Sequence, residues 1–309
     1  MKSNSHLTTL FNSKLLNRII DRHGDESFLR AISLAEEYKE KWDLDIFGPF
    51  NHFSSNMLFA GESKKHGPIV LKIQMNDNLD REISVLNLLK SEYMCPVYEY
   101  SPDDRVCLLK RIWPGHSMFF ETTREQRAGL FCDLYKRLPR ERVDEGIYPT
   151  YLDLLAEGKE VLAQRNDCSF MDAHMEKAAE LIMSVNSKYK EKVLLHGDLH
   201  HENILRDGDG KYIIIDPKGI VGDPVYDISR FIAFEFWCDL TSEPSDSVVD
   251  FVNLIASNLS IPAETLFKCL YVETVIWLSR EELANKRPPR ESGKLICNLL
   301  LADSIVDAF

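Results

Sequence analysis

Apolar residues recur at helical spacing from about Glu26 to Trp42, where Phe28, Ile32, Ala35, Tyr38 and Trp42 fall on one face, so a helix is expected there. The period then shortens. Asp45-Ile-Phe-Gly-Pro-Phe50, Met57-Leu-Phe-Ala-Gly61 and Pro68-Ile-Val-Leu-Lys-Ile73 are short apolar runs separated by turn residues such as Gly48-Pro49 and Gly67-Pro68. They predict a meander of strands. An amphipathic helix follows over Asp80–Lys90, with Ile83, Leu86 and Leu89 on one side. Val106-Cys-Leu-Leu109 reads as another strand, and Pro114-Gly115 ends the stretch after it. From there the pattern is helical, at about 123–137, 150–165 and 173–189. Three short strands interrupt it, Val193–Leu195, Ile204-Leu205 and Tyr212–Ile215, and the chain is mostly helix from Val225 onward. Neither a repeat nor a low-complexity linker is visible. Strands early and helices late imply an α+β arrangement, with a β-rich N-lobe carrying a helix over residues 1–112 and a mainly α-helical C-lobe over 113–309.

Length agrees with that division, because 309 residues exceed what one typical core supports. The formal charge of −12 argues against nucleic acid as a partner, since phosphate backbones are held by clustered Lys and Arg. The seven cysteines, at 95, 107, 132, 168, 238, 269 and 297, form no CxxC pair and suit buried reduced thiols. Asn12, Ser13 and Lys14 interrupt any apolar leader, and no apolar run has the length of a membrane span. The expectation is a cytoplasmic protein, monomeric or weakly dimeric, with neither membrane nor nucleic acid as partner.

The chemistry concentrates in His196-Gly-Asp-Leu-His-His-Glu-Asn203, followed by Ile213-Ile-Ile-Asp216. Asp198 stands five positions before Asn203, and Asn203 thirteen before Asp216, with the turn Asp207-Gly-Asp-Gly210 between the two apolar runs. A loop carboxylate facing an acceptor hydroxyl, with an Asn and an Asp at strand ends offering oxygens to magnesium, is what phosphoryl transfer requires. Each residue alone has a plainer reading: a turn former, a strand cap, a loop carboxylate before Pro217. Order, spacing and the hairpin together favour the catalytic one.

His-Gly-Asp-Leu-His-x-x-Asn followed by Ile-Asp-Pro resembles the aminoglycoside phosphotransferase family, relatives of protein kinases. The run Asp216-Pro-Lys-Gly-Ile-Val-Gly-Asp-Pro-Val-Tyr-Asp227 is similar to the branch containing streptomycin 6-kinases and hydroxyurea phosphotransferases. The likeness extends over roughly Leu44 to Trp237 and is most specific between 194 and 231. It implies a two-lobed protein-kinase-like fold using ATP and Mg2+. By position it makes Asp198 the catalytic carboxylate, Asn203 and Asp216 the magnesium ligands, Lys72 the contact to the α/β-phosphates and Glu82 its ion-pair partner. Asp227 is then the carboxylate that braces the catalytic loop. Lys218 reads equally as a phosphate contact or a solvated lysine. Neither G-x-G-x-x-G nor a Walker A sequence is present, and the loop Asn51–Asn56 has no glycine. Ser54 and Ser55 are therefore the phosphate-loop candidates, with adenine recognised by backbone near Lys110 to Ile112. His196, His200, His201 and Glu202 invite comparison with a zinc site, but no helical H-E-x-x-H accompanies them.

From Gly222 to Glu282 eleven acidic residues face only Arg230, Lys268 and Arg280. Many are expected to be solvated helix faces. Glu235, Asp239 and Glu273 lie among Phe231, Phe234, Trp237 and Trp277, a mixture suited to a small cationic acceptor. The leading expectation is an ATP-dependent aminoglycoside O-phosphotransferase acting on streptomycin, an antibiotic-resistance activity. The alternatives are a kinase of hydroxyurea or another small hydroxylated metabolite, and a catalytically silent kinase-like binding module. A protein kinase is disfavoured, because the Gly-rich loop is missing and no Ala-Pro-Glu follows Asp216.

Overall fold

The computed structural model describes residues 6–50, 56–75, 78–121, 123–165, 167–236 and 245–282, together with 303 and 306. The chain divides into two compact units, Met1–Gly115 with Arg206–Ile213, and His116–Leu205 with Ile214–Phe309. The expected division at 112/113 differs from this by three residues and by the hairpin tip, which groups with the first unit.

The first unit opens with a 3-10 turn at His6–Leu10, then α1 (Ser13–His23) and α2 (Asp25–Lys41). The strands β1 (Leu44–Pro49), β2 (Met57–Ser63) and β3 (Gly67–Ile73) form the expected meander. Helix α3 (Leu79–Leu88) precedes β4 (Val97–Ser101) and β5 (Val106–Lys110). All five strands make one antiparallel sheet in the order β1-β2-β3-β5-β4. Helix α1 begins where Asn12 Oδ1 accepts the Leu15 N–H at 2.8 Å, satisfying one of its unpaired donors. The apolar faces of α1 and α2, including Leu15, Ile19, Phe28, Ile32 and Tyr38, close over Ile46, Phe59, Ile69, Leu71 and Val106. Tyr38 is fully buried, with its hydroxyl 2.6 Å from both Ser101 Oγ and Asp104 Oδ2, so the aromatic body fills the core while the polar tip is satisfied.

After β6 (Pro114–Ser117) the second unit is mainly helical, with α4 (Arg124–Tyr135), α5 (Tyr151–Ala163) and α6 (Asp172–Lys188). Thr150 and Asp153 close a reciprocal capping box at the start of α5. Four short strands follow: β7 (Val193–Leu195), β8 (Ile204–Asp207), β9 (Tyr212–Ile214) and β10 (Ile220–Gly222). Helices α7 (Val225–Phe236), α8 (Ser245–Leu259) and α9 (Ala263–Trp277) lead into a π-helical turn at Leu278–Glu282. Nearly every described side chain of α7 is buried, and this helix packs on α9, which packs on α6. The strands β7 and β10 pair antiparallel, Leu195 opposite Ile220. In the β8–β9 turn Asp207 Oδ1 accepts the N–H groups of Asp209 and Lys211, a side chain standing in for a backbone acceptor. Among the described residues no helix is long and apolar enough to cross a membrane. Five described cysteines, Cys95, Cys107, Cys132, Cys168 and Cys269, are buried free thiols.

Candidate active site

Within the first unit β3 carries Lys72 and α3 carries Glu82. The Lys72 Nζ lies 2.6 Å from Glu82 Oε2, and both side chains are about nineteen-twentieths buried. Desolvating two charges is expensive, so such a pair is poor evidence of stabilisation and better evidence of a retained role. Beside it, burial first and then the negative charge of Glu82 push the Cys95 thiol up to about 12. At the end of β5 the Lys110 N–H donates to Pro96 O at 3.0 Å and the Arg111 N–H to Pro68 O at 3.1 Å. Of the backbone proposed for a base at Lys110 to Ile112, two N–H groups are thus already engaged. Ser54 and Ser55 lie outside the described residues.

In the second unit the loop after β7 is held from beneath by α7. Asp227 Oδ2 accepts the His196 N–H and its Oδ1 the Gly197 N–H, each at 2.9 Å. Burial raises this carboxyl to about 7 against those two bonds. Gly197 has φ +77°, and a Cβ there would stand 2.8 Å from Ile220 Cγ1, so the loop passes only without a side chain. His196 is buried, and desolvation pushes its pKa down to about 4, which leaves it neutral at pH 7. Its Nδ1 accepts the Asp198 N–H at 3.1 Å, and its Nε2 therefore donates to Ile215 O at 2.9 Å. A single neutral imidazole thus spans the segments that carry Asp198 and Asp216.

Asn203 Nδ2 donates to Asp198 O at 2.9 Å and lies 3.3 Å from Asp198 Oδ2. The Ile215 N–H donates to Asn203 O at 3.0 Å, tethering the residue before Asp216. Asp216 adopts φ +57°, a left-handed conformation costing a non-glycine residue about 1–2 kcal/mol and concentrated at functional sites. Its Oδ2 lies 3.3 Å from Lys218 Nζ. Asp198 is held by Arg230, whose Nε and Nη2 lie 2.9 and 2.8 Å from Oδ1. Burial opposes ionisation of Asp198, but Arg230, His200 and Lys218 outweigh it and keep the carboxyl far below the usual carboxylate range. The lowered carboxyl makes Asp198 an anion at neutral pH.

The sequence profile of the aminoglycoside/hydroxyurea antibiotic resistance kinases matches residues 44–276. The chain belongs to this kinase family. Among curated relatives, a streptomycin 6-kinase of Streptomyces glaucescens is 22% identical over 258 residues, covering 81% of this chain and 80% of the relative. The choline kinase LicA from Streptococcus pneumoniae covers 90% of this chain and 100% of that chain at TM-score 0.59 and 14% identity. A thermostable aminoglycoside phosphotransferase APH(4)-Ia mutant, in complex with ADP and hygromycin B, covers 88% and 97% at TM-score 0.58 and 15% identity. The fold is protein-kinase-like.

Two of the carboxylates expected at the acceptor, Glu235 and Glu273, are paired with arginines inside the second unit. Glu235 is almost wholly buried. Its Oε1 lies 3.2 Å from Arg124 Nε and within contact of Arg127 Nη2, while its Oε2 lies 2.9 Å from Arg127 Nε and 2.8 Å from His201 Nε2. Although burial opposes it, His201 and Arg127 hold the carboxyl at about 2. Both oxygens of Glu235 are thus engaged by side chains of the second unit, His201 of the loop that carries Asp198 among them. Glu273 is likewise buried, with Oε1 3.0 Å from Arg230 Nη1. Asp239 and Trp237 lie outside the described residues.

Arg230, Arg127 and Arg124 were not among the residues expected from the sequence. The available signal was Arg230 itself, a lone cation in the apolar run Ile228–Ala233, three positions after Asp227. The residues present also fit a hard divalent cation. Asn203 Nδ2 is fixed on Asp198, which leaves its Oδ1 as the free oxygen, and Asp216 already draws an ammonium group. Magnesium commonly takes one or two protein oxygens and completes its shell with phosphate and water.

Proposed function

We propose that the protein transfers the γ-phosphoryl group of ATP to a hydroxyl of an aminoglycoside, streptomycin being the foremost candidate, and so inactivates the antibiotic. The observation that carries this reading is the ionised Asp198, fixed beside Asn203 and within the field of Lys218 in a kinase-family chain. In this reading residues 1–112 supply the nucleotide half and 113–309 the acceptor half. Lys72, positioned by Glu82, contacts the α/β-phosphates, Ser54 and Ser55 the phosphate loop, and Ile112 the base through its backbone. Asn203 and Asp216 would hold Mg2+, which neutralises charge on the phosphate oxygens when bound. Asp198 orients the acceptor hydroxyl and takes up its proton late, since so weak a base does little early abstraction.

A second reading is favoured by one specific finding. Glu235 and Glu273 are paired with arginines, so the site has less free negative charge than its composition suggests. That suits a neutral acceptor such as hydroxyurea. A catalytically silent module is disfavoured because Lys72, Asp198, Asn203 and Asp216 are all retained. The test is nucleotide consumption by purified protein with streptomycin, hygromycin B, hydroxyurea and choline. Turnover of streptomycin is the expected result. Turnover of hydroxyurea alone selects the second reading, and no phosphorylation of any acceptor, with no Mg-ATP binding, rejects both.

A further inference from the structure

Arg230 is held from several sides beneath the loop that carries Asp198. Two of its nitrogens converge on one oxygen, Asp198 Oδ1, at 2.9 and 2.8 Å. Its third nitrogen, Nη1, lies 3.0 Å from Glu273 Oε1 on α9. The guanidinium carbon stands 4.4 Å from the Trp277 ring centroid. Arg230 itself is 6% exposed and comes from α7, so three separate segments meet at one buried cation. A guanidinium fixes direction as well as charge, because its nitrogens form a rigid planar fork; an ammonium at the same place would be a point charge free to swivel. Asp198 has two chemically equivalent oxygens that rotation about its side chain would exchange. The fork on Oδ1 prevents that exchange and leaves Oδ2, 3.3 Å from Asn203 Nδ2, as the other oxygen.

We propose that Arg230 is a positioning residue for phosphoryl transfer, holding Asp198 Oδ1 so that Oδ2 alone is presented to the acceptor hydroxyl, with Glu273 as the counter-ion that holds the guanidinium in register. This rests on the phosphotransferase reading above. It also gives Glu273 a place in the chemistry, with Arg230 and Asp198 between it and the acceptor. Without Glu273 the guanidinium would lose the carboxylate that opposes the pull of Asp198, and the fork would be drawn off its line. Alignment of a reacting group within a fraction of an ångström is worth roughly 10²-fold in rate, which sets the scale of the effect.

The experiment compares full-length wild type with Arg230→Met, Arg230→Lys, Glu273→Gln and the double variant Arg230→Met/Glu273→Gln. Three quantities are measured: Mg-ADP affinity by calorimetry, thermal unfolding, and single-turnover transfer from ATP to streptomycin, or to water where streptomycin is not phosphorylated. Arg230→Met should lower the transfer rate on the order of 10²-fold, with Mg-ADP affinity and streptomycin KM within about threefold of wild type, since nucleotide and acceptor binding do not use the fork. Arg230→Lys should recover only a small part of the loss. Glu273→Gln should slow transfer about tenfold and add nothing in the Arg230→Met background, the signature of residues acting as one unit. Transfer by Arg230→Met or Glu273→Gln at the wild-type rate overturns the clamp, as does a rate loss matched by equal losses of Mg-ADP affinity and thermal stability. If Arg230→Met does not fold, Arg230→Lys and Glu273→Gln decide by the same criteria. A wild-type protein that neither binds Mg-ADP nor consumes ATP removes the phosphotransferase reading and the clamp together, whereas an active wild type with indifferent variants removes the clamp alone.

Discussion

Glu235→Gln separates a carboxylate that braces the fold from one that binds an acceptor. The substitution keeps shape and hydrogen-bonding capacity but removes the charge between Arg124, Arg127 and His201. Glu235 is fully buried at its carboxylate, so solvent screening offers little discount. Its carboxyl is lowered from an ordinary 4.5 to about 2, against burial, by His201 and Arg127, which corresponds to about 3 kcal/mol of folding free energy at neutral pH. Leaving the Arg127 guanidinium buried without its counter-charge gives the same order, about 3–5 kcal/mol. The half-solvated Arg124 adds little. For a unit of this size each kcal/mol shifts the midpoint by about 2–4 °C, so a fall of roughly 6–12 °C is expected.

The pH dependence has a definite sign. A carboxyl with a depressed folded-state pKa contributes stability above its unfolded value and loses it as pH falls through the folded one. The wild-type advantage should therefore be full above about pH 5 and shrink from pH 4.5 towards 2. Thermal unfolding of both proteins from pH 3 to 8, with steady-state kinetics at pH 7, makes the measurement. Streptomycin KM should change less than about threefold, because the charge does not face the acceptor. An unchanged midpoint with a tenfold higher KM would refute the bracing role and return Glu235 to the acceptor site.

Asp198→Asn should slow transfer on the order of 10²–10⁴-fold in single-turnover assays while Mg-ATP affinity stays near wild type. Asn203→Ala and Asp216→Ala should each weaken nucleotide binding in magnesium but not in EDTA, measured by calorimetry. Lys72→Met should raise the KM for ATP and lower kcat, and equal kinetics to wild type would remove it from the nucleotide site. Gly197→Ala should destabilise by about 2 kcal/mol in denaturant titrations, since a side chain at φ +77° meets Ile220 at 2.8 Å.

What could be read from the sequence was what is local. The helices α2, α3, α4, α5 and α6 and the strands β1, β2, β3 and β5 carry their own period, and their observed bounds follow the expected ones within a few residues. Strand β4 escaped because Val97-Tyr-Glu-Tyr-Ser101 lies at a sheet edge with every side chain half-buried, so no alternation marks it. Strands β6 (Pro-Gly-His-Ser) and β10 (Ile-Val-Gly) lack the apolar run that marks β7 and β9, and α1 went unread although Leu15 and Ile19 stand at helical spacing behind the Asn12 cap. The same division runs through the site. Asp198, Asn203 and Asp216 lie within nineteen positions, so their spacing alone suggests the roles proposed for them. Lys72 and Glu82 emerged only from family likeness, because the nine intervening residues encode no contact.

Charge was the quantity that composition misrepresented. Eleven carboxylates against three cations between Gly222 and Glu282 looked like an acidic wall. The cations that neutralise Glu235 come from a helix more than a hundred positions earlier, outside any window of that count. Asp227 and Asp223 spend their oxygens on backbone N–H groups, and Glu273 is bound to Arg230. A carboxylate that is buried and partnered projects little field into solvent, because its countercharge lies within a few ångströms while screening acts over roughly 8 Å. Only the carboxylates on exposed faces remain to steer a cation, and net charge along a segment cannot distinguish the two kinds. With four of the eleven carboxylates engaged inside the fold, the salt dependence of binding any cationic acceptor should be shallower than the −12 of the chain suggests.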